Sequence, residues 1–105
     1  MEWLISQPDT DGFENVIVTG DCDLYAAPSF ARAMRDRIAG GSTRLRFDLS
    51  KVDYLDSTGV GAIIRILQEG RRSGTELLFR GVKGTPRKVL RMSNILSLMR
   101  EEQLP

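Results

Sequence analysis

An α/β fold is predicted for this chain: a mixed sheet that opens with an antiparallel hairpin and continues through parallel β/α crossovers, with about four helices packed against it. Three features predict it. Two short apolar runs flank a turn-forming cluster near the N-terminus. An alternating strand pattern in the middle of the chain changes abruptly to helical periodicity. Strand-like and helix-like segments then alternate to the C-terminus, the order that builds parallel crossovers.

Residues 2–7 form a brief apolar-centred run ended by Pro8, Asp9, Thr10, Asp11 and Gly12, a strong turn cluster. Residues 13–19 follow, with the β-branched block Val16, Ile17 and Val18, so the two runs read as a hairpin. Gly20-Asp21-Cys22-Asp23 ends the second strand. Pro28 suits the first position of a helix, where a missing N–H has no partner to lose. Phe30, Met34 and Ile38 give that helix an apolar stripe, with Arg32, Arg35, Asp36 and Arg37 mostly toward water. Gly40-Gly41-Ser42 stops it.

Residues 45–67 organise the rest. Leu45, Phe47 and Leu49 face one way and Arg46, Asp48 and Ser50 the other, the signature of a strand. After Gly59 the period changes: Val60, Ile63, Ile64 and Leu67 share one face of an α-helix that ends near Gly70 or Gly74. Glu76–Arg80 is another strand, centred on Leu77, Leu78 and Phe79. Thr85 and Pro86 mark a third helix, as cap and first-position proline, with Val89, Leu90 and Met92 buried. Ser93 and Asn94 interrupt it, and residues 95–100 read as a fourth short helix whose Ile95, Leu96, Leu98 and Met99 join the core.

A chain of 105 residues is one domain, long enough to bury roughly two-thirds of its unfolded surface. Fifteen basic residues against fourteen acidic ones leave a net charge of +1, which gives no strong field toward nucleic acid or membrane. The single cysteine, Cys22, excludes an intramolecular disulfide and fits a reducing compartment. The absence of histidine removes the commonest general base and metal ligand. No secretory signal and no stretch of ~20 apolar residues is present, so a cytoplasmic protein is expected.

Between strand and helix lies Asp56-Ser57-Thr58-Gly59. Either Ser57 or Asp56 can cap the helix, since a short side-chain oxygen accepts from the free amides of its first turn. A phosphate would also suit that helix end. Taken alone, capping is the simpler reading of Ser57, and Asp23 and Asp56 are ordinary turn carboxylates. Gly59 and Gly61 admit close approach of backbone or partner but have neither Walker nor Gly-x-Gly-x-x-Gly spacing. Two carboxylates invite an enzyme reading through acid–base work or Mg²⁺, yet nothing else completes such a site. An aspartic protease is excluded because two residues separate Asp56 from Gly59 and a helix follows at once. Arg71 and Arg72, with Arg65, Arg87, Lys88 and Arg91, read as solvated helix surface that could help contact an acidic partner.

The strand ending Asp48-Leu49-Ser50, followed by Asp56-Ser57-Thr58-Gly59-Val60-Gly61, resembles the STAS domain of bacterial anti-sigma factor antagonists. Three further motifs occur in order. Gly20-Asp21-Cys22-Asp23 stands for the family's Gly-Glu-Leu-Asp, Ala27-Pro28 for its helix start, and Gly74-Thr75-Glu76-Leu77 for a later strand. The resemblance spans about residues 16–99. It implies the family's fold and a non-catalytic phospho-switch needing no cofactor or metal. Ser57 becomes the phosphoacceptor of a partner that is both serine kinase and anti-sigma factor, with a serine phosphatase resetting the cycle. Asp23, Asp56, Ser57, Thr58 and Gly59 become the partner-facing residues, on a protein that is a monomer by default. The alternative within the same fold is a scaffold or accessory subunit of a signalling complex or transporter, with Ser57 only a cap. Two departures stand out. Cys22 replaces an apolar residue and reads as a small buried hydrophobe, and Asn94 stands where many relatives have glycine.

Overall fold

Side-chain alternation decides which face of the sheet is covered. Val16 and Val18 in one strand and Leu45, Phe47 and Leu49 in another are buried in a cluster with Phe30, Met34 and Ile38 of the first helix and Val60, Ile63 and Ile66 of the second. A computed structural model describes residues 1–103. Its elements are β1 (Glu2–Ile5), β2 (Glu14–Cys22), α1 (Ala27–Ala39), β3 (Arg44–Leu55), α2 (Ser57–Ser73), β4 (Glu76–Arg80) and α3 (Gly84–Met92), followed by a 3₁₀ turn at Leu96–Leu98. The strands lie in the order β1-β2-β3-β4. β1 pairs antiparallel with β2, as the hairpin reading expects, while β2–β3 and β3–β4 are parallel.

Aromatic rings tie the layers together. Trp3 meets Phe30 edge-on at 5.3 Å, Phe30 meets Phe47 at 6.3 Å, and Phe47 stacks on Phe79 at 5.1 Å. Each such pair contributes about 0.5–1.5 kcal/mol beyond the apolar area it buries. Parallel pairing of β2 with β3 sets Asp21 beside Tyr54 and Cys22 beside Leu55. The two strands therefore finish together, and the loops leaving them are neighbours.

The expected fourth helix is instead a single 3₁₀ turn, so three α-helices are present among the described residues. Asn94, at φ 60°, adopts the left-handed conformation that ends α3. After the short turn the backbone extends: Phe79 N–H donates to the Arg100 carbonyl at 2.9 Å and Glu102 N–H to the Phe79 carbonyl at 2.8 Å. Residues expected to coil thus cover the edge of β4, which would otherwise present unpaired backbone groups. Met99 is buried as expected, whereas Leu98 is exposed.

α3 also differs from its sequence reading. Lys83 occupies the cap position with no side-chain bond, so Thr85 is not the cap. Pro86 is the third helical residue, still within the first turn where its missing N–H removes no helical bond. Starting at Gly84 turns Pro86 and Leu90 inward and leaves Met92 72% exposed, against the expected burial. In α1, Pro28 follows Ala27, the first helical residue.

The other face of β3 carries Arg46, only 6% exposed. Its guanidinium donates to Asp11 at 2.5 Å, Glu102 at 3.1 Å, Asn15 at 3.2 Å and Asp9 at 3.3 Å, and lies 4.7 Å over the Phe13 ring. One buried arginine so gathers the β1–β2 turn and the C-terminal segment.

Candidate functional site at the β3–α2 junction

β3 reaches the junction with Leu55 buried, and Asp56 follows in extended conformation at φ −108°. Its carboxylate accepts from Thr58 N–H at 2.9 Å and Gly59 N–H at 3.1 Å, and its carbonyl accepts from Val60 N–H at 3.0 Å. Asp56 is therefore the cap, the choice the sequence leaves open. Ser57 is the first helical residue, with its side chain exposed. Thr58 is half-buried, and its amide is held by Asp56.

Gly59 is required by packing. A Cβ there would stand 2.5 Å from the Cys22 carbonyl oxygen and 2.7 Å from Leu55 Cδ1. The first turn of α2 thus lies directly on the end of β2, and Asp56 N–H reaches the Cys22 carbonyl at 3.4 Å. Gly61 differs, since a Cβ there would meet nothing within 4 Å.

Asp23 belongs to the adjacent loop. Its carboxylate accepts from Tyr25 and Ala26 N–H, both at 3.0 Å, and its carbonyl from Ala26 and Ala27 N–H at 3.2 and 2.9 Å, which turns the chain into α1. The structure brings Asp23, Asp56, Ser57, Thr58 and Gly59 together at one end of the sheet. Both carboxylates hold backbone amides, an arrangement that shapes loops. Among the described residues no group of three or more His, Cys, Asp or Glu side chains is placed to share a metal ion. Cys22 is buried beneath the junction. Burial, reinforced by the charges of Asp56 and Asp23, pushes its thiol up to about 11.

Three residues that sequence reasoning did not single out share this end of the sheet, Tyr54 near the end of β3 and Leu24 and Tyr25 in the loop after β2. Leu24, Tyr25 and Tyr54 are 61%, 88% and 47% exposed. The available signal was apolar character without periodic partners. Tyr54 falls between the inward positions Val52 and Leu55, and Leu24 and Tyr25 lie in the short segment between strand and helix. Exposed aromatics beside polar groups are the composition of protein-docking surfaces.

An exposed helix-start hydroxyl beside the capping carboxylate of Asp56, with Asp23 on the adjacent loop and exposed apolar residues at the same end of a small mixed α/β domain, has the composition of a docking surface. The STAS domain family matches residues 7–103, and this chain belongs to it, among the anti-sigma factor antagonists. The anti-sigma-B factor antagonist of Listeria monocytogenes is 33% identical over 78 residues, covering 74% of this chain and 68% of the relative. The corresponding Staphylococcus aureus protein is 27% identical over 89 residues, covering 85% and 82%. Among solved structures, the anti-sigma factor antagonist SpoIIAA in its unphosphorylated form superposes with a TM-score of 0.79 at 18% identity, covering 97% of this chain and 89% of that one. Its phosphorylated form, from Bacillus, gives 0.72 at 18% identity, with 97% and 92% covered. At that identity the two structures establish the fold. No helix among the described residues is long and apolar enough to cross a membrane.

Proposed function

We propose that the unphosphorylated chain binds an anti-sigma factor that is also a serine kinase, and so frees the factor's target. Phosphorylation of Ser57 by that kinase, from ATP, then ends the binding, and a serine phosphatase restores it. The observation that carries this reading is the exposed Ser57 hydroxyl on the first residue of α2, beside Asp56. Support comes from the anti-sigma-B factor antagonists among its relatives and from the SpoIIAA fold, solved with and without phosphate.

The capping geometry suggests how the switch works. A phosphoryl group adds about −1.5 to −2 charges at pH 7. A bare helix N-terminus would neutralise part of that charge through free amides, but Asp56 already holds those of Thr58 and Gly59. The new charge would therefore project outward beside an existing carboxylate. It would change the docking surface far more than the fold, through bulk, desolvation and repulsion of acidic groups on the partner. Leu24, Tyr25 and Tyr54 would supply the apolar contacts of the unphosphorylated complex. The kinase contributes the ATP site and the base; this chain contributes the acceptor oxygen.

Co-purification of the cognate kinase with wild type, Ser57→Ala and Ser57→Asp tests the reading. Wild type and Ser57→Ala should retain the kinase. Ser57→Asp, with about half the added charge of a phosphate, should retain clearly less. Equal retention by all three removes the switch.

A further inference from the structure

α1 and α2 pack side by side, and the seam between them opens to solvent as a shallow groove. Arg32 and Arg35 on α1 face Arg65 and Arg72 on α2 across it. Two carboxylates share the groove, Asp36 and Glu69. The Glu69 side chain is only 6% exposed and is fully engaged. It accepts from Arg72 at 2.6 and 2.8 Å and from the Ser73 hydroxyl at 3.3 Å, and lies 3.7 Å from Arg35. These contacts hold two guanidinium groups in place while leaving donors free. Arg32 and Arg65 meet no carboxylate among the described residues. Four guanidinium groups against two carboxylates leave the groove positive on a chain whose net charge is only +1. The opposite sign collects at the β3–α2 junction, on Asp21, Asp23, Asp53 and Asp56.

We propose that the α1–α2 groove is a docking surface for a carboxylate-rich segment of a protein partner, separate from the Ser57 surface. A planar guanidinium fork matches a carboxylate through two parallel hydrogen bonds, and arginine is less strongly hydrated than lysine. Arg65 and Arg72 stand two turns apart on α2, about 10 Å along its axis. Long, flexible arginine side chains can bridge the difference between that separation and the ~7 Å repeat of same-side residues in an extended segment. The groove is open and runs along two helices, a shape that fits a polypeptide better than an enclosed small molecule. Pro28, Ala31 and Ala39 give it an apolar wall for the aliphatic parts of such a segment. A nucleic acid fits less well, because the acidic junction and near-neutral total charge offer little long-range attraction to a polyphosphate.

The test titrates the ¹⁵N-labelled chain at low salt with a short synthetic peptide of alternating Glu and Ser, and in parallel with duplex DNA. Amide shifts should cluster on the facing sides of α1 and α2. The double variant Arg32→Ala/Arg65→Ala removes only exposed, unpaired side chains. It should weaken peptide binding roughly three- to tenfold, while Lys88→Ala/Arg91→Ala on α3 leaves it unchanged. Ser57→Ala should bind the peptide like wild type, so loss of kinase binding with intact peptide binding would discredit the switch and spare the groove. Absent shifts, shifts spread over every basic segment, or equal losses in the two double variants would overturn the proposal. DNA binding tighter than peptide binding, and lost with Arg32 and Arg65, would overturn it in favour of a nucleic-acid surface.

Discussion

A phosphoryl group on Ser57 would stand next to a carboxylate that already serves the helix. The two neighbours therefore divide the work: Asp56 maintains α2 and leaves the Ser57 hydroxyl free. Asp56→Ala should lower stability by about 1 kcal/mol, as loss of a helix cap does, and Asp56→Asn, which keeps an acceptor oxygen, should lose less; urea denaturation measures both. Ser57→Ala should leave stability within about 0.5 kcal/mol of wild type, as at an exposed site without structural bonds. Beneath them, Cys22 gives a pH signature. Its thiol stays protonated in the fold up to about 11, against an ordinary value of 9.0 for an unfolded chain. Between these values the folded state binds more protons, so stability falls as pH rises from about 9 to about 11, on the order of 2–3 kcal/mol in all. Denaturation curves across that range should show the decline, and Cys22→Ala should flatten it. At this scale the polar residues of the junction stood out in the sequence, whereas exposed Leu24, Tyr25 and Tyr54 did not, nor did the choice between Asp56 and Ser57 as cap. Both residue types cap well, and only backbone geometry separates them.

At the scale of elements, α2 is built around two glycines with opposite reasons for being there. Gly59 lies against the end of β2, and a methyl group 2.5 Å from the Cys22 carbonyl would force the helix away. Gly59→Ala should therefore destabilise the protein by about 1–3 kcal/mol, the usual cost of overpacking. Gly61 faces open space and carries only the helix-propensity penalty of glycine. Gly61→Ala should raise stability by about 0.5–1 kcal/mol. If it also weakens kinase binding, the exposed face of α2 near Ser57 belongs to the docking surface; thermal unfolding alongside a binding assay separates the two effects. β3 and the helical nature of α2 were readable because period-2 and period-3.6 patterns there are strong, and β4 because Leu77, Leu78 and Phe79 form a compact apolar run. The C-terminal region was not. Ile95, Leu96, Leu98 and Met99 are spaced like a helix, but Asn94 breaks the chain before them and the edge of β4 captures the backbone after them. Both effects depend on tertiary position, which local periodicity does not encode.

Over the whole molecule, ion pairs organise what the hydrophobic core does not. Arg46 joins residues 9–15 to Glu102, and Arg72 and Arg35 hold Glu69. Hydrogen bonds from Arg72, followed by its charge, keep the Glu69 carboxyl below its ordinary range. Burial opposes ionisation of Asp48, but bonds from the Ser50 hydroxyl and amide, with the charge of Arg80, more than offset it. Both groups have depressed folded values, so the stability they contribute is present above the ordinary carboxylate range and is lost as pH falls through it. The urea midpoint should decline once pH drops below about 4.5, and less steeply in Glu69→Gln than in wild type. The hairpin, the mixed sheet and the crossovers followed from sequence because the core pattern is local and periodic. The burial of Arg46 could not be read that way, since its partners lie 31 to 56 residues away along the chain.

The central claim is that one hydroxyl controls whether a partner binds. Incubation of the chain with its serine kinase and ATP, followed by site mapping by mass spectrometry and measurement of kinase affinity for each form, tests it most directly. The account predicts a single phosphoryl group on Ser57, none in Ser57→Ala, and loss of kinase affinity in the phosphorylated form alone. Phosphate on another residue, or a phosphorylated chain that holds the kinase as tightly as the unmodified one, would contradict it.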